Sequence, residues 1–261
     1  MSVAVVTGAA RGIGAATARL LARDGWQLVL LDRCEDDPSL SYPLARPEQL
    51  AGIIEACGGE GRAVGITGDV RDRAAVEAAV AAAEEAFGGL DAAVAVAGAI
   101  AGSPATAVGD ALWDTMLSVN LLGVRRLAEA AVPAMLRRDP PRHGRFVAVA
   151  SAAAVVGLPR LAAYSAAKHA VVGYTRSLAA ELGDEGITAN VVAPGSTRTD
   201  ALRASAGVYG LPDVEEFAQH HLSRRLLEPE EVGEAIAFLL RPASSGMTGA
   251  VVPVDGGFTA R

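Results

Sequence analysis

Tyr164 and Lys168 are the residues whose types and spacing most invite chemistry in this chain. They stand four apart in Ala163-Tyr164-Ser165-Ala166-Ala167-Lys168. On a helix that spacing puts both side chains on one face, so an ammonium can lie beside a phenol. A free tyrosine titrates at about pH 10 and is a poor base at neutrality. A fixed cation favours the phenolate and moves it toward the range useful in acid–base catalysis. The same pair equally describes an ordinary helix with one amphipathic aromatic and one solvated charge. The surrounding chain has to distinguish the two.

A second chemical signal lies near the start. Thr7-Gly8-Ala9-Ala10-Arg11-Gly12-Ile13-Gly14 follows an apolar run and opens a helical one. Gly8, Gly12 and Gly14 allow a tight turn and close approach of the backbone to a pyrophosphate. The N–H groups and dipole of the next helix favour the same anion. The spacing is Gly-x-x-x-Gly-x-Gly rather than the common Gly-x-Gly-x-x-Gly. Its place at the first βα crossover still favours dinucleotide binding over a ligand-free turn. Asp32 ends the second apolar run, where an acid accepts hydrogen bonds from the adenosine ribose and repels a 2′-phosphate. Asp32 therefore favours NAD over NADP. Arg11 and Arg33 pull the other way, since either could meet a phosphate. Asp69, followed by Val70, either approaches the adenine or caps a following turn.

The elements that must position these residues alternate in type. Strands are predicted at Val3–Thr7, Gln27–Leu31, Arg62–Ile66, Ala92–Ala97, Arg145–Ala150, Thr188–Ala193 and Ala250–Val254. Helices are predicted at Gly12–Arg23, Pro47–Ala56, Arg73–Phe87, Asp110–Arg137, Leu161–Leu182 and Pro229–Leu240. Wholly apolar strands separated by helices imply an α/β fold. The expectation is a doubly wound, seven-stranded parallel sheet with helices on both faces. No Pro/Gly/Ser linker divides residues 1–261, which read as a single domain. Two stretches break the rhythm. Residues 33–46 (RCEDDPSLSYPLAR) are polar and longer than a usual βα connection. Residues 199–225 read as a mobile substrate-binding segment, with Leu202, Val208, Tyr209, Leu211 and Phe217 as an apolar lining.

Composition narrows the classes. The 261 residues suffice for one large domain, and 51% hydrophobic content with 4% aromatics requires a core of small side chains. A net charge of −7 argues against nucleic acid or an anionic membrane as partner. No apolar run is long enough to span a bilayer. Met1 leads into Val3-Ala4-Val5-Val6 without a basic segment or cleavage site, so no signal peptide is predicted and a cytoplasmic protein is expected. Cys34 and Cys57 suit two free thiols, with a mutual bridge as the alternative. His143, His169, His220 and His221 show no recurring ligand spacing, so no metal is expected.

Taken in order, the glycine loop, Asp32, Asp69, Asn120, Ser151, Tyr164 and Lys168 resemble the short-chain dehydrogenase/reductase family from Val3 to Phe258. The thirteen-residue step from Ser151 to Tyr164 matches, as do Pro194-Gly195-Ser196-Thr197-Arg198-Thr199 and Val254-Asp255-Gly256-Gly257. The resemblance implies a nicotinamide-dependent oxidoreductase that interconverts an alcohol with a ketone or aldehyde. Tyr164 would exchange the proton and Lys168 would steady its phenolate and hold the nicotinamide ribose. Ser151 would orient the substrate oxygen, and Asn120 would hold a water linking Lys168 to solvent. Gly8, Arg11, Gly12, Ile13, Gly14, Asp32, Arg33, Asp69, Val70, Ala97, Gly98, Pro194, Gly195, Thr197 and Thr199 would line the cofactor with Tyr164 and Lys168. The family's Asn-Asn-Ala-Gly is here Ala95-Val96-Ala97-Gly98, which keeps backbone contacts and removes polar side chains. Ala150 replaces the first serine of the usual Ser-Ser pair.

The 33–46 insertion is similar to that of the mycofactocin-associated subfamily, and Asp32-Arg33-Cys34-Glu35-Asp36-Asp37-Pro38 carries the likeness. That resemblance implies a retained NAD re-oxidised by the mycofactocin redox carrier. The family also implies a homotetramer built through the helices near 110–137 and 161–182 and the C-terminal segment. A non-catalytic NAD-binding or assembly protein on the same fold is the alternative.

Overall fold

The seven apolar runs form one sheet in the order β3-β2-β1-β4-β5-β6-β7, every neighbouring pair parallel. The computed structural model describes residues 1–260. The strands are β1 Val3–Thr7, β2 Gln27–Asp32, β3 Ala63–Thr67, β4 Ala92–Ala95, β5 Arg145–Val149, β6 Thr188–Pro194 and β7 Val251–Val254. β1, β4, β5 and β6 are buried along their whole length, as strands covered on both faces must be. The predicted strands are all present. β4 ends two residues early because the amides of Val96 and Ala97 turn to the Thr7 hydroxyl, each at 3.2 Å.

The helices are α1 Gly12–Arg23, α2 Pro47–Ala56, α3 Arg73–Phe87, α4 Asp110–Leu117, α5 Gly123–Leu136, α6 Ala162–Leu182, α7 Asp200–Tyr209 and α8 Pro229–Leu240. One face of the sheet packs on α3, α5 and α6 through residues such as Val76, Leu127 and Val171. The other packs on α1, α2 and α8 through Leu21, Leu50 and Ile236. α1 and α8 approach so closely that a Cβ on Gly233 would lie 2.8 Å from Leu20 Cδ1. Small residues permit this, which is how a core poor in aromatics fills its space.

Two expectations need correction. The predicted helix 110–137 is interrupted by a π-helical turn at Ser118–Leu122. Its buried Asn120 returns hydrogen bonds to Met116 O and to the chain after β4. Segment 199–225, which read as loop, holds α7 and a 3₁₀ turn at Val214–His220. Thr199 caps α7 by accepting from Leu202 N, and Leu202, Ala206, Phe217 and Leu226 form a small core of its own. Cys34 and Cys57 are both buried free thiols, so the alternative bridge does not form. Among the described residues, no helix is long and apolar enough to cross a membrane.

The glycine loop is the tightest point of the fold. A Cβ on Gly14 would meet Gly8 O at 2.0 Å, and that neighbour is backbone and cannot swing aside. Gly14→Ala should therefore destabilise the protein by about 1–3 kcal/mol, read as a lower denaturant midpoint.

Candidate active site

Strand order reverses between β1 and β4, and the crevice there opens at the carboxyl ends of the strands. Two connected cavities occupy it. The first, of about 200 Å³, is lined by Gly8, Arg11, Gly12, Ile13 and Gly14 from the first loop and by Asp32, Arg33, Asp69 and Val70 beyond it. Ala97, Gly98 and Thr199 complete the predicted residues in this groove, and Tyr42 and Leu44 of segment 33–46 also line it. The second cavity, of about 600 Å³, shares Ile13, Gly98 and Thr199 with the first. It contains Asn120, Ser151, Tyr164, Lys168, Pro194, Gly195 and Thr197.

The groove has the form of a dinucleotide cradle. Gly8 and Gly12 take the left-handed backbone region, with φ of 67° and 56°. A Cβ on Gly8 would sit 2.7 Å from Ala97 Cα, so β1 and β4 can meet only with glycine there. Arg11, at the N-cap of α1, makes no side-chain cap. The first-turn amides of Gly12, Ile13 and Gly14 thus keep their capacity for an anion. Asp32 accepts from Ala10 N at 2.9 Å and from Cys34 N at 3.2 Å, which fixes the carboxylate beside the loop. These residues fit a dinucleotide: amides for the pyrophosphate, a carboxylate for a ribose.

Ser151, Tyr164 and Lys168 are brought together from the end of β5 and from α6. Ser151 leaves β5 in extended conformation and caps a 3₁₀ turn by accepting from Ala153 N at 3.1 Å. Tyr164 lies in the first turn of α6 and Lys168 in its second. Lys168 Nζ stands 5.7 Å from the Tyr164 ring centroid and donates to Val149 O at 2.9 Å. Burial pushes the Tyr164 phenol up to about 12, opposed by a hydrogen bond with Ser151. Desolvation dominates in the protein alone, and the expected lowering by Lys168 does not figure in the shift. Burial also brings the Lys168 ammonium down to about 8. A neighbouring cation and the positive end of α6 both act to restore the phenolate.

Asn120 departs from its expected role in one respect. Its Oδ1 accepts from Ala99 N at 3.1 Å, and its Nδ2 donates to Ala99 O at 2.9 Å and Met116 O at 3.0 Å. Both amide hydrogens are thus committed to backbone, which leaves Oδ1 as the side-chain atom able to receive a water. A Cβ on Gly98 would fall 2.9 Å from Asn120 Oδ1 and 3.5 Å from Lys168 Nζ, so the three converge. Asp69 accepts from Arg71 N at 2.8 Å, and Asp72 rather than Asp69 caps α3. Thr197 and Thr199 hydroxyls bond to backbone carbonyls of Gly195 and Thr197.

The sequence reading passed over three residues. Thr7 Oγ1 accepts from the Val96 and Ala97 amides and so holds the chain after β4 against the end of β1. Tyr42 OH accepts from Ile100 N at 3.1 Å and ties segment 33–46 to the chain after β4. His221 is wholly buried: its Nε2 accepts from Ser196 N at 3.0 Å and its Nδ1 bonds Arg225 O at 2.7 Å. Burial holds its pKa below the usual value, consistent with a neutral ring bracing the Pro-Gly loop. A pair of bracketing glycines, Gly195 and Gly256, was the available signal. The outer cavity wall comprises Ile100, Leu158, Leu161, Tyr209, Phe217 and Phe258. Leu202 and Leu211 join it as expected, whereas Val208 packs over Gly102.

A family model described as enoyl-(acyl carrier protein) reductase matches residues 8–259. The chain belongs to the short-chain dehydrogenase/reductase family. The short-chain reductase protein NovJ of Streptomyces niveus is 40% identical over 259 residues, covering 98% of this chain and 93% of the relative. The cis-4-hydroxycyclohexanecarboxylate dehydrogenase of Sinomonas cyclohexanicum is 41% identical over 263 residues, covering 99% and 96%. The structure of carveol dehydrogenase from Mycobacterium avium in complex with NAD superposes with a TM-score of 0.92. Its sequence identity is 31%, with 100% of this chain and 98% of that one covered.

In a family with this site, the buried lysine trades stability for chemistry. Below about pH 8 the folded and unfolded chains both carry the Lys168 proton, so the full burial cost is present there. Between about 8 and the ordinary 10.5 the unfolded chain binds more protons, and stability rises with pH. Lys168→Met should remove a cost of about 3 kcal/mol. Losing the bond to Val149 O offsets about 1–2 kcal/mol of it. The variant should melt above the parent at pH 7, lose turnover, and lose its stability advantage as pH approaches 10.5.

Proposed function

We propose that this protein interconverts a ring-bearing secondary alcohol and its ketone, with NAD as hydride carrier and Tyr164 as the acid–base group. The observation that carries the reading is the meeting of Ser151, Tyr164 and Lys168 at the mouth between a phosphate-cradling groove and an apolar cavity. An intact set of three argues against the non-catalytic alternative. NAD is favoured because the related carveol dehydrogenase binds it and because Asp32 lies at the ribose end of this groove. A ring substrate is favoured by the apolar wall and by the named activities of two relatives, both of which act on hydroxylated six-membered rings.

In the oxidative direction, Ser151 donates a hydrogen bond to the substrate hydroxyl oxygen and fixes its distance from Tyr164. The Tyr164 phenolate takes the hydroxyl proton as the carbon–hydrogen bond breaks. Lys168 holds positive charge beside the ring. Asn120 Oδ1 would hold a water beside Lys168, and that water would carry the proton from the ammonium to solvent. The glycine-loop amides would hold the pyrophosphate of NAD, Asp32 its adenosine ribose, and Lys168 its other ribose. Bound NAD supplies the hydride acceptor and a positive ring that favours the phenolate. The apolar wall excludes water from the reacting carbon.

Tyr164→Phe should reduce turnover by about 10²–10⁴-fold while leaving the NAD dissociation constant within a few-fold. Near-normal turnover of an accepted alcohol by this variant would exclude Tyr164 as the proton acceptor.

The insertion supports a finer reading, in which NAD is retained and re-oxidised by the mycofactocin carrier. Arg11 Nη1 donates to Pro43 O at 3.0 Å and to Asp200 at 2.9 Å, so insertion and substrate segment are tied across the groove. Tyr42 anchors the other side. Denaturing the purified protein should release about one NAD per chain, and added NAD should not raise turnover unless an artificial electron acceptor is present. Nucleotide-free protein that turns over with added NAD alone would exclude retention. The cytoplasm is the compartment that suits two free buried thiols.

A further inference from the structure

The groove that would receive adenosine is lined by two arginines, Arg11 and Arg33, either of which has the chemistry to hold a 2′-phosphate. Both are engaged by carboxylates. Arg11 pairs with Asp200 at 2.9 Å. Arg33 Nη1 donates to Asp37 Oδ2 at 2.5 Å and lies 3.4 Å from Asp69 Oδ2. Asp37 belongs to the insertion and is only 5% exposed.

Asp37 is held firmly enough to act on its neighbours. Its Oδ1 accepts from Ser39 N at 2.9 Å and from Ser39 Oγ at 2.5 Å. Its Oδ2 also takes Arg71 Nη2 at 2.7 Å, and the same Arg71 nitrogen reaches Asp69 at 2.6 Å. Ser39 Oγ accepts in turn from Thr115 Oγ1 at 3.1 Å, which fastens the turn to α4. The result is a closed ring of alternating charge, Arg33–Asp37–Arg71–Asp69. Asp32 adds a further carboxylate at the groove, so the aspartates outnumber Arg33 and Arg71. The paired guanidiniums and serine donors hold the Asp37 carboxyl well below the usual range, so its charge persists through physiological pH.

We propose that Asp37 sets cofactor preference by keeping the Arg33 guanidinium from the adenosine 2′ position. This rests on the dinucleotide reading of the groove. A 2′-phosphate arriving beside Arg33 would have to displace Asp37 or Asp69 from it while facing Asp32. A free 2′-hydroxyl requires no such exchange. Asp32 and Asp37 thus act differently: one faces the ribose directly, the other removes the cation that would counter it. Asp37 is a positioning residue, because it works through Arg33.

The test is equilibrium titration of protein freed of nucleotide by charcoal, with NAD and with NADP, followed by intrinsic fluorescence. Asp37→Asn keeps an oxygen for Ser39 and removes the charge. It should tighten NADP relative to NAD at least tenfold, and adding Arg33→Ala should return the ratio to the parent value. A merely structural change would weaken both dinucleotides together. A folded Asp37→Asn protein with a ratio within threefold of the parent overturns the proposal. If Asp37→Asn does not fold, Arg33→Ala alone is decisive. An engaged guanidinium predicts an NADP-to-NAD ratio within threefold of the parent, and a tenfold selective loss of NADP affinity overturns the proposal. Parent protein that binds neither dinucleotide overturns the proposal together with the reading beneath it.

Discussion

The close passage of the backbone at Gly8 and Ala97 is the constraint on which the site depends. The two chains meet where a Cβ at Gly8 would intrude to 2.7 Å. That contact draws the ends of β1 and β4 together while their following segments diverge to opposite faces of the sheet. A crevice is the geometric consequence; four strand ends contribute to it, while Tyr164 and Lys168 enter from α6 and Asn120 from the π-helical turn. Asp32 comes from β2, Gly98 from beyond β4, Ser151 from beyond β5 and Gly195 from beyond β6. The parallel register makes these ends rise together on one rim. A site drawn from four strands is thereby placed by sheet geometry rather than by loop conformation.

Tyr164 and Lys168 carry ionisable groups that their surroundings oppose. Burial disfavours the phenolate of Tyr164 and the ammonium of Lys168 alike. Each charge lacks a compensating ion in the protein itself, where Lys168 has a carbonyl and Tyr164 a serine. Such a pair is costly to fold and becomes effective when a further charge arrives in the same enclosure. The tension locates chemistry better than the spacing of the two residues does. A solvated tyrosine and lysine four apart on a helix would share the spacing and none of the cost.

What the sequence made legible follows the range of the interactions involved. Strands and helices came through because apolar runs and alanine-rich stretches act over a few residues. The glycine loop was legible for the same reason, since its steric demand is local. The interruption at Ser118–Leu122 was not. It is stabilised by Asn120 bonding to Ala99, twenty-one residues away, and no local signal encodes that distance. α7 was missed because its cap Thr199 and its buried Leu202 and Ala206 stand among polar residues that read as loop. The pairing of Asp37 with Arg71 was hidden likewise: 33–46 reads as a polar, solvated stretch until β2 and β3 bring both residues to the same rim.

That pairing also explains how residues 33–46 hold a shape without helix or strand. A polar loop of this kind is ordinarily loose. Here Asp36 accepts from Leu44 N at 2.7 Å and pairs with Arg46 at 2.6 Å, closing the segment on itself. Asp37 then fastens it to the rim, Arg11 holds Pro43, and Leu40 packs beside Ala99, Met116 and Ala163. Pro38 and Pro43 reduce the freedom of the unfolded segment. Each hydrogen bond contributes only about 1 kcal/mol. They share one short chain, however, so loosening one raises the cost of keeping the others. The carboxylate that orders the loop is also the one that occupies Arg33. Folding of the cover and the charge of the groove beneath it are therefore one property, set by the same buried oxygen atoms.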